Sequence, residues 1–388
     1  MHRFGSLLAF VAALVVAASF AGLSARPVDA VAENVVVVMI DGLRWQDVFR
    51  GASDALLTKE RGKVASAEAV LATYGGADRA ARRAALMPFF WSTIATEGTI
   101  LGNRDEGSKV EVTNGRFVSY PGYSETICGI VDPAFVDNTK IVNPNRNVFE
   151  ALAARDDFRG KVYVFGAWEV FPFIFGSARN GLPVDDSIGP FVPPPGAPAI
   201  SERIAAVNDL RVNVPRRWPG GHFDAMVTTI ALEWIRIAKP RVVFVGLGET
   251  DEWAHEGDYA NYLAAAHRAD RFLADLWSTL QAMPEYRGRT TLLVTCDHGR
   301  GNDDAGPLDW CSHNARTVGS HEMWCAALGP AIPARGVVRG GPTVGQAQIA
   351  ATIARAVGLD WQREVPAAAP PIAWDAAEAA APTSAESR

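Results

Sequence analysis

Three short apolar runs in this chain each give way to a carboxylate, and that recurrence limits the fold more than any other feature of the sequence. Val35-Val-Val-Val-Met-Ile40 stops at Asp41-Gly42. Arg241-Val-Val-Phe-Val-Gly-Leu247 runs into the polar cluster Gly248-Glu-Thr-Asp-Glu-Trp-Ala-His255. Thr290-Thr-Leu-Leu-Val-Thr-Cys296 stops at Asp297-His298-Gly299. Each run is of strand length and largely apolar at both parities, so each reads as a strand buried on both faces, as in a parallel sheet. Residues 161–166 and 322–328 read as further strands, and 99–102 and 110–118 as short ones. Helical spacing is found over 84–97, 147–155, 223–238, 259–283 and 346–357. This alternation predicts an α/β fold with a mainly parallel central sheet flanked by helices. In open sheets of this kind, sites gather outside the carboxyl ends of the strands. Asp41, Asp251 and Asp297 are therefore candidate site residues on one rim.

The remaining sequence sets the boundaries. Of 388 residues, 48% are hydrophobic and 21% charged, which excludes global disorder. A net charge of -6 with no basic run argues against nucleic-acid binding. Arg3 followed by an alanine-rich apolar stretch over 7–23 reads as a signal peptide within 1–30, cut near 25 or 30. The stretch is short for a spanning helix, so the expected location is periplasmic or secreted, with no stable transmembrane segment after cleavage. Residues 168–221 are aromatic, Pro-rich and irregular, and fit either an inserted cap over the site or a surface loop. Residues 361–388 are mostly Ala, Pro, Glu and Ser, and are expected to be a disordered tail after a catalytic domain spanning 31–360. Four cysteines without a C-x-x-C pair leave three possible pairings and argue against a cysteine zinc site.

The candidate rim has the right side chains to hold metal. Asp251-x-x-x-His255 is an i, i+4 pair, which places a carboxylate and an imidazole on one helical face. Asp297-His298 supplies a second acid and imidazole. Trp310-Cys-Ser-His313 and His321 follow before the last strand. Ser119, in Ser119-Tyr-Pro-Gly-Tyr, lies on a strand-to-helix turn, where a nucleophile can meet helix N-terminal N–H groups. Ser124 is the competing hydroxyl, with an N-cap as its plain structural role.

Taken in order, these pieces resemble the alkaline phosphatase superfamily. The likeness is nearest to the nucleotide pyrophosphatase/phosphodiesterase-like and phosphoglycerate mutase-like branches. The matching segments are Val-Met-Ile-Asp41-Gly-Leu-Arg, Ser119-Tyr-Pro-Gly-Tyr, Asp251-x-x-x-His255, Thr-Cys-Asp297-His298-Gly, a later histidine, and Ala-Leu-Gly-Pro330. They span roughly residues 34–360. The resemblance implies two divalent metal ions. Asp41, Ser119, Asp297 and His298 would hold one. Asp251, His255 and His313 would hold the other, with His321 as the alternative to His313. The mixed nitrogen and oxygen donors suit zinc, with manganese as the alternative. The resemblance further implies a Ser119 nucleophile and an amide contact to phosphate from Asn138. The expected function is an exported metal-dependent hydrolase of phosphate esters, a phosphatase or phosphodiesterase, acting on a small-molecule or envelope phosphoester. Related sulfatases are similar around Cys-x-Pro-x-Arg, whereas this chain has Ser119 for the Cys and Tyr123 for the Arg. The alternatives are a sulfatase-like enzyme, a phosphoryl-group transferase acting on envelope glycans, and an inactive binding protein on the same fold.

Overall fold

A computed structural model describes residues 32–375 except 304, 305, 307 and 331. The expected signal peptide lies outside the described residues. So does the tail beyond residue 375.

The strands in chain order are β1 (Asn34–Ile40), β2 (Gly98–Leu101), β3 (Val110–Glu111), β4 (Val162–Gly166), β5 (Val184–Asp185), β6 (Val242–Leu247), β7 (Thr290–Thr295), β8 (Glu322–Met323), β9 (Cys325–Leu328), β10 (Gly336–Val337) and β11 (Val344–Gly345). Eight of them form the central sheet, in the order β10-β2-β9-β7-β1-β6-β4-β5. From β7 to β5 all neighbours are parallel, and β9 is antiparallel to both β7 and β2. The sheet is therefore mainly parallel, and helices flank it as the alternation predicts. Every residue of β1, β6 and β7 is buried, which matches their unbroken apolar character.

Register brings the acids together. Val38 of β1 faces Val245 of β6 on one side and Val294 of β7 on the other. The ladder runs one residue further, with the Asp41 N–H donating to the Leu247 carbonyl at 2.9 Å. Asp41 and Asp297 thus leave neighbouring strands at the same rim, and Glu249–His255 forms a short helix directly after β6.

Several expectations are corrected by local chemistry. The strand expected over 110–118 is paired only at Val110–Glu111. Beyond it, Asn114 Oδ1 accepts from the N–H groups of Arg116 and Phe117, an Asx turn that bends the chain toward Ser119. The next helix starts at Ser119 itself, not at Ser124. Pro121 and Gly122 fall in its first turn, where proline sacrifices no intrahelical bond. The late strand divides at Trp324, with β8 joining a three-stranded sheet beside β3 and β9 joining the main one. The tail expected from residue 361 is packed as far as Trp374. Trp361, Ile372 and Trp374 are buried, and the Trp361 indole donates to the Cys128 carbonyl at 2.9 Å. Composition hid these three apolar anchors among the alanines and prolines.

Residues 168–221 divide between the two readings. Val184–Asp185 extends the main sheet beside β4, and a buried Arg211–Asp185 pair at 2.7 Å ties helix Glu202–Asn213 to that edge. Trp168 and Trp218, near the two ends of the segment, border the cleft described below. All four cysteines are buried and unpaired. Among the described residues no helix is long and apolar enough to cross a membrane.

Candidate metal centre

One half of the centre is built from the ends of β1 and β7. Asp297 Oδ1 accepts two backbone N–H bonds, from Gly42 and His298, each at 3.0 Å. Its Oδ2 is buried and has no hydrogen-bond partner. Tyr123 donates its hydroxyl to Asp41 Oδ2 at 3.1 Å, and Asp41 Oδ1 is likewise left without a partner. His298 Nδ1 lies 3.0 Å from the Gly299 carbonyl. That contact makes Nδ1 the protonated nitrogen and turns the Nε2 lone pair inward. Nε2 is 3.3 Å from Asp297 Oδ2, 3.5 Å from Asp41 Oδ1 and 3.3 Å from Ser119 Oγ.

The other half comes from the Glu249–His255 helix and the loop after β7. Asp251 Oδ2 and His255 Nε2, one helical turn apart, are separated by 3.1 Å. His313 Nε2 lies 3.0 Å from His255 Nε2 and 3.7 Å from Asp251 Oδ1. The His313 Nδ1 is 2.8 Å from the Phe117 carbonyl, so its Nε2 also faces inward as an acceptor. The His298 and His313 rings stack with centroids 3.7 Å apart, which joins the two halves. His321 takes no part: its ring lies beside Phe117 and its carbonyl accepts from Val112.

The donor set fits divalent cations. Two buried carboxylate oxygens, Asp41 Oδ1 and Asp297 Oδ2, lack hydrogen-bond partners, whereas Asp251 Oδ1 meets the Arg300 guanidinium at 2.8 Å. Buried polar atoms without partners are costly, so such a cluster is the signature of an ion site. The donor atoms of Asp41, Asp297 and His298 all lie within 4.8 Å of one another, and so do those of Asp251, His298 and His313. Burial, reinforced by Asp297 and Asp251, pushes the Asp41 carboxyl well above its usual range. Burial, then the Asp251 charge, pushes Asp297 up to about 7. At Asp251 burial pushes upward too, but Arg300, His255 and His313 together hold it well below the usual range. Burial pushes His298 well down, and pushes His313 down to about 4. Both imidazoles are therefore neutral at pH 7, the form that binds metal.

Gly42 makes the close packing possible. Its φ is +59°, and a Cβ there would come within 2.6 Å of Asp251 Oδ1. Thr250 donates to the Asp41 carbonyl at 2.5 Å and so fastens the Glu249–His255 helix to the end of β1.

Ser119 is the first residue of its helix and lines a cleft of about 190 Å³ with Asp41, Asp251 and His255. Asn138 lines the same cleft, and its Oδ1 accepts from the Tyr120 N–H at 2.9 Å. Trp168, Trp218, His222 and Glu252 form further parts of the wall. Burial, then Asp251, pushes the Glu252 carboxyl up to about 7. The sequence reading missed these four wall residues, and it missed Tyr123 and Arg300. Tyr123 and Arg300 each sit within four residues of a predicted site residue, but nothing in the sequence says that they point inward.

Residues 222–318 match the Metalloenzyme superfamily, a stretch that includes Asp251, His255, Asp297, His298 and His313. A comparison with curated protein sequences found no match. Among solved structures, alkaline phosphatase PafA superposes with a TM-score of 0.53 at 12% identity, covering 88% of this chain and 98% of that one. The lipoteichoic acid synthase LtaP from Listeria monocytogenes gives 0.49 at 10% identity, covering 85% and 74%. The phosphonate monoester hydrolase of Agrobacterium radiobacter gives 0.47 at 14% identity, covering 84% and 74%. The match to PafA is a likeness of fold that extends over nearly the whole of both chains. This chain therefore has an alkaline-phosphatase-like fold, and its residues 222–318 carry the sequence pattern of the Metalloenzyme superfamily.

Proposed function

We propose that this chain is a metal-dependent hydrolase of phosphate esters with Ser119 as its nucleophile. The observation that carries this reading is the position of Ser119 Oγ, 3.3 Å from the inward-facing His298 Nε2 and on the wall of the cleft that also holds Asp41 and Asp251. Asp41, Asp297 and His298 would hold one divalent metal, and Asp251, His255 and His313 a second. A bound divalent metal supplies Lewis acidity, lowering the pKa of an adjacent hydroxyl and neutralising charge on phosphoryl oxygens.

Each residue then has a definite task. Ser119 attacks phosphorus in line with the leaving oxygen, which departs with the bonding electron pair, and a phosphoserine ester remains. Water cleaves that ester and returns the serine. Helix N-terminal placement of Ser119 favours the anionic group bound to it. Asn138, tied to the same helix end through Tyr120, is placed to offer its amide N–H to a non-bridging oxygen. Trp168 and Trp218 enclose the leaving group. A serine rather than an aldehyde-forming cysteine favours phosphate over sulfate esters. Nitrogen and oxygen donors together favour zinc, with manganese the alternative. The apolar stretch over 7–23 supports export, and with it a small-molecule or envelope phosphoester met in the periplasm or outside the cell as substrate.

The test is hydrolysis of an aryl phosphate monoester, an aryl phosphate diester and an aryl sulfate by chelator-stripped protein reloaded with Zn²⁺ or Mn²⁺. The expected result is metal-dependent phosphate ester hydrolysis that falls on the order of 10³-fold or more in Ser119→Ala. Undiminished hydrolysis by Ser119→Ala would sink the nucleophile, and preference for the sulfate would sink the substrate class.

A further inference from the structure

Arg300 stands next to the centre and has no assigned part in it. Its side chain is fully buried, and its Nη2 lies 2.8 Å from Asp251 Oδ1. The same nitrogen donates to the Asp251 carbonyl at 3.0 Å, and Nη1 donates to the Cys311 carbonyl at 3.3 Å. Nε is buried without a hydrogen-bond partner. Among the described residues Asp251 is the carboxylate that pairs with this guanidinium, and no other acid comes within ion-pair distance. Arg44, also fully buried, differs: both oxygens of Asp47 meet it at 2.7 and 3.0 Å, and Asp303 lies 3.5 Å away.

The oxygen that Arg300 touches is the one that faces His313 and His298, while Oδ2 faces His255 at 3.1 Å. Asp251 Oδ1 lies 3.7 Å from His313 Nε2 and 3.9 Å from His298 Nε2. A metal in this half and Arg300 would draw on the same negative charge. The Asp41, Asp297 and His298 half is different. Among the described residues no lysine or arginine forms an ion pair with either of its carboxylates. One half therefore offers a dication two carboxyl groups with which no lysine or arginine among the described residues pairs. The other offers a single carboxylate already paired with a buried guanidinium at 2.8 Å. In a buried site, Coulomb terms of this size separate affinities by orders of magnitude.

We infer that Arg300 is a standing cation that makes the two metal positions unequal. The Asp41, Asp297 and His298 position binds a divalent ion tightly. The Asp251, His255 and His313 position binds one weakly, and Arg300 holds Asp251 in place whether or not that position is filled. Arg300 is thus a positioning residue. This inference rests on the reading of the cluster as a metal centre.

The test is binding, not turnover. Full chain stripped with a chelator is titrated with Zn²⁺ and separately with Mn²⁺ by calorimetry, with equilibrium dialysis to count equivalents. The first equivalent is expected to bind at least about tenfold tighter than the second. Arg300→Met should tighten the second step by about tenfold or more and leave the first nearly unchanged. Arg300→Lys, which keeps the charge, should retain the wild-type separation. Asp251→Asn should remove the weaker step alone. Two equal steps in the wild type would overturn the inference, and so would an unchanged second step in folded Arg300→Met. Should Arg300→Met fail to fold, the wild-type steps and Arg300→Lys still decide it. Absence of any metal binding would remove the centre and the proposed function with it, whereas equal steps would remove only the role given to Arg300.

Discussion

The two halves of the centre are anchored in different ways. Asp41 and Asp297 follow the ends of adjacent strands whose register is set by a continuous parallel ladder. Their carboxylates are held by Tyr123 and by two backbone N–H groups, and the His298 side chain is 0% exposed. Asp251 and His255 sit on a seven-residue helix, and His313 comes from a loop. The His255 side chain is 45% exposed. A site fixed by a sheet is pre-organised before any ligand arrives, whereas one assembled from a short helix and a loop can adjust. The difference assigns the chemistry that demands accuracy to the strand ends and leaves the adjustable donors facing the cleft.

The largest expected effect comes from breaking the rigid half. Asp297→Asn keeps the shape but removes one of the two charges that would bind the first ion. It should abolish tight metal binding and lower phosphate ester hydrolysis on the order of 10³-fold, measured by calorimetry and initial rates. Opening the adjustable half should cost less. His255→Ala is expected to lower activity on the order of 10- to 100-fold, with recovery at high added Zn²⁺ because the other donors remain. Equal losses in the two variants would contradict the comparison.

A pH experiment sharpens it further. Asp297 is pushed up to about 7, above its value in an unfolded chain, and Asp41 is displaced in the same direction. In metal-free protein between about pH 4 and pH 7, the unfolded chain has released protons that the folded chain still holds. Stability should therefore fall as pH rises through that window, by on the order of a few kcal/mol. Asp251 is displaced the other way, so its contribution is lost only as pH drops below the usual carboxylate range. Thermal melts of chelated protein from pH 4 to 8 would show the fall. Saturating Zn²⁺ should reverse it at pH 7, because binding requires the deprotonated carboxylates. The smallest effect expected is that of Tyr123→Phe. Loss of one hydrogen bond to Asp41 should lower stability by about 0.5–1.5 kcal/mol and weaken the first metal step by several-fold, without changing the number of equivalents.

What could be read from the sequence follows the same division. Asp41 and Asp297 were legible because a buried strand has a length and an apolar character that end abruptly, and the acid marks the end. Asp251 and His255 were legible because helical spacing alone puts them on one face. The choice between His313 and His321 was not. It depends on a hydrogen bond between His313 and the Phe117 carbonyl, a contact between loops that no periodicity encodes. The N-cap role open to Ser124 would have started the helix too late, because Pro121 and Gly122 are both harmless in a first turn that begins at Ser119. Arg300 carried no signal, since a charged residue after a strand is ordinarily solvated. The packed end at Trp374 was obscured because three anchoring side chains are diluted by small ones.

The register of β1 has a consequence for how the chain is made. β1 lies in the middle of the sheet, yet Val35 pairs with Val242 on one side and Thr291 on the other. During synthesis this apolar strand emerges early, and its neighbours come only after most of the chain has been translated. Contacts of such long sequence separation form slowly and leave an unpaired strand vulnerable to association with other chains. Until β7 arrives, Asp41 has no Asp297 beside it, so the candidate ion position at these two acids does not exist in any nascent fragment. A dication bound there could be captured only late, and it would act as a clasp between the first and last thirds of the polypeptide.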